Sequence, residues 1–220
     1  MCNTLNEIAK QAKGDYISFI GSDDYWKNNK IGEQLSFLEE NRHLMLVHSN
    51  SIKVDENNKE IGTINYASKK NSGSIFESII YGKGGINTPS HLYRTEIFKH
   101  IGYYDPNFKF EDTDFWLRLT KKFEIGFLDT FHTYYRVHQN NLSNSNNMLT
   151  FYYDEIIKIY SKNIDDEKLK KYAICKILKK GINRSLRKLS LTYIIQYSSK
   201  YIKYKYFNID NFLDLDRKET

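Results

Sequence analysis

Cysteine and proline are nearly absent from this chain of 220 residues, with two of each. Cys2 and Cys175 stand far apart in sequence, so they offer neither a disulfide framework nor a paired metal-ligand spacing. A reducing, cytoplasmic setting is expected. Two prolines and 11 glycines exclude collagen-like and Pro-rich linker architectures, and Asn and Asp must make many of the turns. No apolar run approaches the roughly 18 residues needed to span a bilayer, and Met1 is followed by polar residues rather than a basic and then an apolar segment. The chain is therefore expected neither to cross a membrane nor to carry a secretion signal. Acid is missing from one long window: Lys168 to Lys205 holds 10 Lys and 2 Arg with no Asp or Glu. That window carries +12 against +6 for the whole chain, which leaves −6 for everything else.

What is present is a foldable composition, 40% apolar and 15% aromatic, with 18 Tyr and 13 Phe. At this length one α/β domain with an appendage is expected. Leu5, Ile8, Ala9 and Ala12 are spaced for a short helix that Gly14 ends. Tyr16 to Ile20 then reads as a buried parallel strand running into the polar turn Gly21-Ser22-Asp23-Asp24. A helix over about 30–40, a strand over 44–47, a hairpin loop over 53–62 and a helix over 75–81 follow. Residues 82–89 read as a flexible loop, 90–93 as strand and 96–101 as helix. A helix over 113–122 and two strands over 124–137 complete the α/β part. From Leu149 onward the pattern is helical only, so the Asn/Ser-rich stretch at 140–148 marks the expected domain boundary.

Three polar clusters carry chemistry. Gly21-Ser22-Asp23-Asp24 sits at the C-terminal end of a strand, where open α/β sheets place ligand crevices. Adjacent carboxylates suit Mg²⁺ or Mn²⁺ bound against an anionic ligand, and equally suit capping of the next helix. Glu111-Asp112-Thr113-Asp114 opens an amphipathic helix; capping explains one acid there, while three acids in four residues exceed what a cap needs. One of them could serve as a general base. Tyr134-Tyr135-Arg136-Val137-His138 places Arg136 and His138 on one face of a strand, a phosphate-binding fork beside a metal-ligand type. Packed aromatic strand is the plainer reading of that segment.

The order of these clusters, with Ile101-Gly102-Tyr103-Tyr104-Asp105 between the first and second, resembles the family 2 glycosyltransferases of the GT-A fold over about residues 3–143. The resemblance implies a partial GT-A domain, Rossmann-like with a mostly parallel sheet, over 1–143 and a basic α-helical extension over 149–220. It implies inverting, metal-dependent transfer of a sugar from a nucleotide-sugar donor, most commonly a UDP-sugar, to a glycan or lipid-linked acceptor in bacterial surface polysaccharide assembly. Residue by residue, it gives Asp23 and His138 to the divalent metal and Asp112 to the catalytic base. It sets Asp24 on the donor side, and Ser22, Glu111 and Arg136 are expected against the substrates, Arg136 as a bidentate fork for the diphosphate. Gly21 stands where many family members have another aspartate.

Family members begin with a strand bearing a Pro-x-Tyr-Asn-like segment, two further strands and an aspartate that reads the nucleobase; this sequence starts at the helix before the acidic turn. A fragment is therefore expected, either the end of an intact enzyme or an inactive piece. The competing class is a binding module on the basic helices. Ile174, Ile177, Leu178, Ile182, Leu186, Leu189 and Tyr193 form an apolar stripe opposite Lys176, Lys179, Lys180, Arg184, Arg187 and Lys188. A helix packed on the domain with a solvated lysine face and a helix lying on an anionic membrane surface both fit residues 168–205. Nucleic acid is not expected as a partner, since the window holds no recognised motif. The expected location is cytoplasmic, peripheral at the inner face of the cell membrane.

Overall fold

The computed structural model describes residues 2–66, 71–138 and 152–206. The chain divides into two compact units, Met1–Asn141 and Leu142–Thr220. The expected boundary at 140–148 lies outside the described residues.

The first unit runs α1 (Cys2–Gln11), β1 (Tyr16–Ile17), β2 (Tyr25–Trp26), α2 (Lys30–Glu40), β3 (Leu46–Val54), β4 (Glu60–Ile64), α3 (Phe76–Ile80), β5 (Leu92–Arg94), α4 (Ile97–Ile101), α5 (Glu111–Lys122) and β6 (Gly126–Arg136). The strand order is β1-β5-β3-β6-β2, with β4 also paired to β3. The expectation of a mostly parallel sheet does not hold. Among the described residues only β3–β6 is parallel, whereas β1–β5, β3–β5, β3–β4 and β2–β6 are antiparallel. A parallel pair needs a long crossover, which α3 to α5 provide between β3 and β6. The β3–β4 pair instead closes through a tight turn, in which Asp55 Oδ1 accepts from the Asn57 and Lys59 amides at 2.8 and 2.9 Å.

The apolar run from Tyr16 to Ile20 does not form one buried strand. Pairing stops after Tyr16–Arg94 and Ile17–Tyr93, and Ile20 is exposed, because Ser18 turns its hydroxyl onto the His91 carbonyl and the chain leaves the sheet. Residues 124–137 form one strand rather than two. Its register against β3 shifts opposite Ser49–Ser51, where Asn50 Nδ2 donates to Asp129 Oδ1 at 2.8 Å and absorbs the extra residues as a bulge. At the start of β6, a Cβ on Gly126 would sit 2.4 Å from Phe37 Cε1, so this glycine allows α2 to lie close on the sheet.

The main core is aromatic: Tyr93, Phe98, Tyr104, Phe115 and Trp116 pack with Leu46, Ile97 and Leu119, and Tyr104 stacks on Phe115 at 4.5 Å. It anchors α5 against β5, which fixes where the α5 N-terminus emerges.

The second unit is helical: α6 (Tyr152–Asn163), α7 (Glu167–Arg187) and α8 (Leu191–Tyr206). Asp166 caps α7, its Oδ1 accepting from the Leu169 amide at 2.7 Å. Ile156, Ile157, Ile159, Ala173, Ile174, Ile177, Leu178, Tyr197 and Tyr204 are buried. The predicted stripe on α7 stays in the core through Leu178, while Leu186 and Leu189 leave it for solvent. Among the described residues, no helix is long and apolar enough to cross a membrane.

Candidate active site

The acidic turn and the end of β6 meet in space although they are over a hundred residues apart in sequence. Pairing of β2 with β6 sets Tyr25 against Tyr134 and Trp26 against Thr133, and the two tyrosine rings stack at 4.5 Å. This carries the turn just before β2 onto residues 136–138. His138 Nε2 lies 2.8 Å from Asp23 Oδ2, and Asp24 Oδ1 accepts from the Arg136 amide at 2.9 Å. A Cβ on Gly21 would stand 3.3 and 3.4 Å from the Asp23 and Asp24 carboxylates, so the smallest residue lets both fold back over the turn. The adjacent acids diverge electrostatically. The His138 hydrogen bond holds Asp23 below the usual carboxylate range, whereas burial pushes Asp24 above it. Neither caps the next helix, because α2 starts at Lys30 with Asn29 as its N-cap residue.

Arg136 is engaged by the protein itself. Its Nε donates to the Asp23 carbonyl at 3.0 Å, Nη1 to the Asp55 carbonyl at 2.8 Å, and Nη2 to Asn58 Oδ1 at 2.7 Å. The fork expected to meet the diphosphate is turned onto the β3–β4 turn and the acidic turn, tying one to the other. Ser22 Oγ is 3.5 Å from Asp23 Oδ1. Asp23 and His138 offer one carboxylate oxygen and one imidazole nitrogen at a common point, a donor pair that suits Mn²⁺ and leaves further positions for ligand oxygens. Among the described residues, no cluster of three or more His, Cys, Asp or Glu side chains could hold a metal.

The second cluster sits in the first turn of α5. Its three acids part company. Asp114 is buried in an ion pair with Arg118, whose Nε lies 2.8 Å away and whose Nη2 donates to the Tyr103 carbonyl at 2.9 Å. Glu111 is buried near Cys2, whose thiol is pushed up by burial and by that acid. Asp112 accepts from Thr88 Oγ1 at 3.3 Å on Oδ2 and from the Thr113 amide at 2.7 Å on Oδ1. Burial raises its carboxyl above the usual range despite those donors. The N-cap position belongs to Phe110, which makes no side-chain cap, so Asp112 is not held there by capping.

One short turn touches Asp112 on one side and the paired strands β2 and β6 on the other. Residues 82–89 were expected to be a flexible loop, yet Thr88–Ser90 form a 3-10 turn ending in the buried Ser90. Trp116 Nε1 donates to Thr88 Oγ1 at 3.4 Å, and Thr88 donates onward to Asp112. The neighbouring Pro89 carbonyl accepts from Trp26 Nε1 at 3.2 Å and from Thr133 Oγ1 at 3.3 Å. Beneath it, Ser90 Oγ donates to the Ser49 carbonyl at 2.7 Å and Asn87 Nδ2 to Ser51 Oγ at 2.7 Å. Lys30 completes the floor. Its ammonium is fully buried, donates to Ser18 Oγ and the His91 carbonyl at 3.1 Å each, and lies 4.1 Å from the Trp26 ring centre. Burial pulls it down to about 7. Sequence reasoning missed Thr88, Pro89 and Lys30; the one available signal was Pro89, one of only two prolines.

A family model described as Glycosyl transferase family 2 matches residues 2–126, more than half the chain and both acidic clusters. The chain belongs to this family. An uncharacterized glycosyltransferase of Rickettsia bellii is 39% identical over 71 residues, 32% of this chain and 10% of that protein. WfaP of Escherichia coli, named a UDP-Glc:alpha-D-GlcNAc-diphosphoundecaprenol beta-1,3-glucosyltransferase, is 32% identical over 139 residues, 63% of this chain and 52% of its own length. The matched part of this glycosyltransferase chain thus spans about half of WfaP and a tenth of the Rickettsia protein. Among solved structures, S. aureus TarS 1-349 superposes with a TM-score of 0.56 at 19% identity, covering 92% of this chain and 60% of that one. That likeness gives the fold as GT-A, with the antiparallel pairings described above and a helical C-terminal part.

Proposed function

We propose that this family 2 glycosyltransferase moves a sugar with inversion from a nucleotide-sugar donor, a UDP-sugar, to a hydroxyl of a glycan or lipid-linked acceptor in bacterial surface polysaccharide assembly. In this reading residues 1–143 form the transferase part and 149–220 a basic helical extension that keeps the chain at the cytoplasmic face of the membrane. The observation that supports it is the folding of two acidic clusters around one turn: Thr88 donates to Asp112, the Pro89 carbonyl accepts from Trp26 on the strand that follows the acidic turn, and Asp23 of that turn is held by His138. WfaP's printed name supports the donor and acceptor classes.

The chain's own groups have separable tasks. Asp112, raised by burial, accepts the proton of the acceptor hydroxyl as that oxygen attacks the anomeric carbon. The bond from that carbon to the diphosphate oxygen breaks, and the nucleoside diphosphate leaves with the electron pair. Thr88 and Trp116 hold the base in place from one side, and the Thr113 amide from the other. Glu111 shapes the acceptor side of that turn, while Ser22 and Asp24 face the donor. Asp23 and His138 would hold Mn²⁺ or Mg²⁺, which when bound neutralises charge on the departing diphosphate. Arg136 keeps the acidic turn in register through the Asp23 carbonyl.

The test is turnover of UDP-glucose with Mn²⁺ and a GlcNAc-diphosphate-lipid acceptor, read as UDP release, for the parent chain and Asp112→Asn. The variant is expected to lose about 10²- to 10⁴-fold in rate while still binding UDP by calorimetry. A variant as fast as the parent, or a parent that binds no UDP, overturns the proposal.

A further inference from the structure

The corner between α7 and α8 ends in the hydrogen bonds of a Schellman motif. The Lys188 amide donates to the Arg184 carbonyl at 3.1 Å, Leu189 to Leu186 at 3.1 Å, and Ser190 to Ser185 at 3.0 Å. The residue after the cap in such a motif must take a left-handed backbone, and glycine or asparagine usually fills it. Here it is Leu189, with φ 52°, and its side chain is 90% exposed. Backbone preference and solvation both disfavour leucine at this point. Leu186, Leu191 and Ile195 surround it at 50%, 69% and 60% exposure, so the α7–α8 tip is an apolar knob. Arg187 and Lys188 beside it are exposed, Lys179 and Lys180 are exposed about two turns back on α7, and the 168–205 window contains no acid; Asp154 of α6, beside Gln196, is paired with Lys200.

From this placement we infer that the α7–α8 corner is a membrane wedge, with Leu186, Leu189, Leu191 and Ile195 entering the acyl boundary of an anionic bilayer and the lysines and arginines beside them meeting its phosphates. An apolar tip with exposed Arg187 and Lys188 at its base, on a segment rich in Lys and Arg, matches the two layers of a lipid surface, acyl chains below and anionic headgroups above. Nucleic acid offers the charge without the apolar layer. Protein partners with acidic, apolar-floored clefts are the remaining occupant, and the test below separates them. The inference deepens the peripheral placement of the transferase, and its readout needs no turnover, so its outcome stands apart from that of the UDP assay.

The test is flotation of the full chain with vesicles of phosphatidylglycerol or of phosphatidylcholine at rising salt, for the parent and for Leu189→Asn. Asparagine is favoured at this left-handed position, so the variant should unfold at the same temperature as the parent or higher. Expected is flotation with phosphatidylglycerol only, released by salt, with a partition coefficient at least about ten-fold lower for Leu189→Asn. Three results overturn the wedge: no flotation of the parent with phosphatidylglycerol at low salt, equal flotation with phosphatidylcholine, or equal partition of parent and variant. The last would reduce the contact to surface charge alone.

Discussion

Lys30 gives the sharpest quantitative test of the fold around the site. Its ammonium lies among Ser18, the His91 carbonyl and Trp26 with no carboxylate hydrogen-bonded to it, and burial lowers it from 10.5 to about 7. Between those two values the unfolded chain still holds a proton that the folded chain has released, so on this group's account stability rises with pH. Below about 7 both states are protonated and the rise stops. At roughly 1.4 kcal/mol per pH unit, the full span of about 3.5 units amounts to about 5 kcal/mol, and the part between pH 7 and about pH 9.5 to about 3 kcal/mol. Lys30→Met removes the titration and the hydrogen bonds to Ser18 Oγ and the His91 carbonyl; the Ser18 hydroxyl still donates to that carbonyl. The packing change is the same at every pH, and the other titrating groups are common to both chains. Urea unfolding of parent and variant at several pH values therefore isolates the lysine. The stability gap is expected to move in the parent's favour by about 3 kcal/mol from pH 7 to about pH 9.5. A gap that stays constant across that range would refute a buried, uncompensated ammonium.

Two further outcomes are expected. Gly126→Ala would place a Cβ 2.4 Å from Phe37 Cε1 and 3.1 Å from Leu44 Cδ1, and should lose about 1–3 kcal/mol in urea unfolding; unchanged stability would mean that α2 is free to lift from β6. His138→Ala removes the hydrogen bond that lowers Asp23, so the Asp23 carboxyl should titrate at higher pH in a ¹³C NMR titration, and an unmoved carboxyl would break the pairing of turn and strand end.

Helices were the most legible elements. α2 and α5 carry apolar residues at helical spacing that one face of a helix must bury, and the structure forms them at 30–40 and 111–122. Short strands were less so. Ile20 has the composition of a strand residue, yet the Ser18 contact with the His91 carbonyl, set by residues over seventy positions away, turns the chain out of the sheet. The direction of pairing was likewise not in the local pattern, because an apolar run of four or five residues reads alike in parallel and antiparallel neighbours.

The site divides along the same line. Local spacing alone fixed the acidic turn before Tyr25, the acidic start of α5 and the basic window at 168–205, because chemistry-bearing residues adjacent in sequence stay adjacent in any fold. Tertiary structure decided which charged groups are left for chemistry. Asp114 is taken by Arg118, Arg136 is taken by the 55–58 turn, and Asp112 is left with Thr88 and Thr113 beside it. It also made Thr88, Pro89 and Lys30 part of the site, since their importance rests on hydrogen bonds across 12 to 63 positions that no window of sequence contains. Charge and periodicity are properties of a segment, whereas burial and hydrogen-bond satisfaction belong to the folded whole.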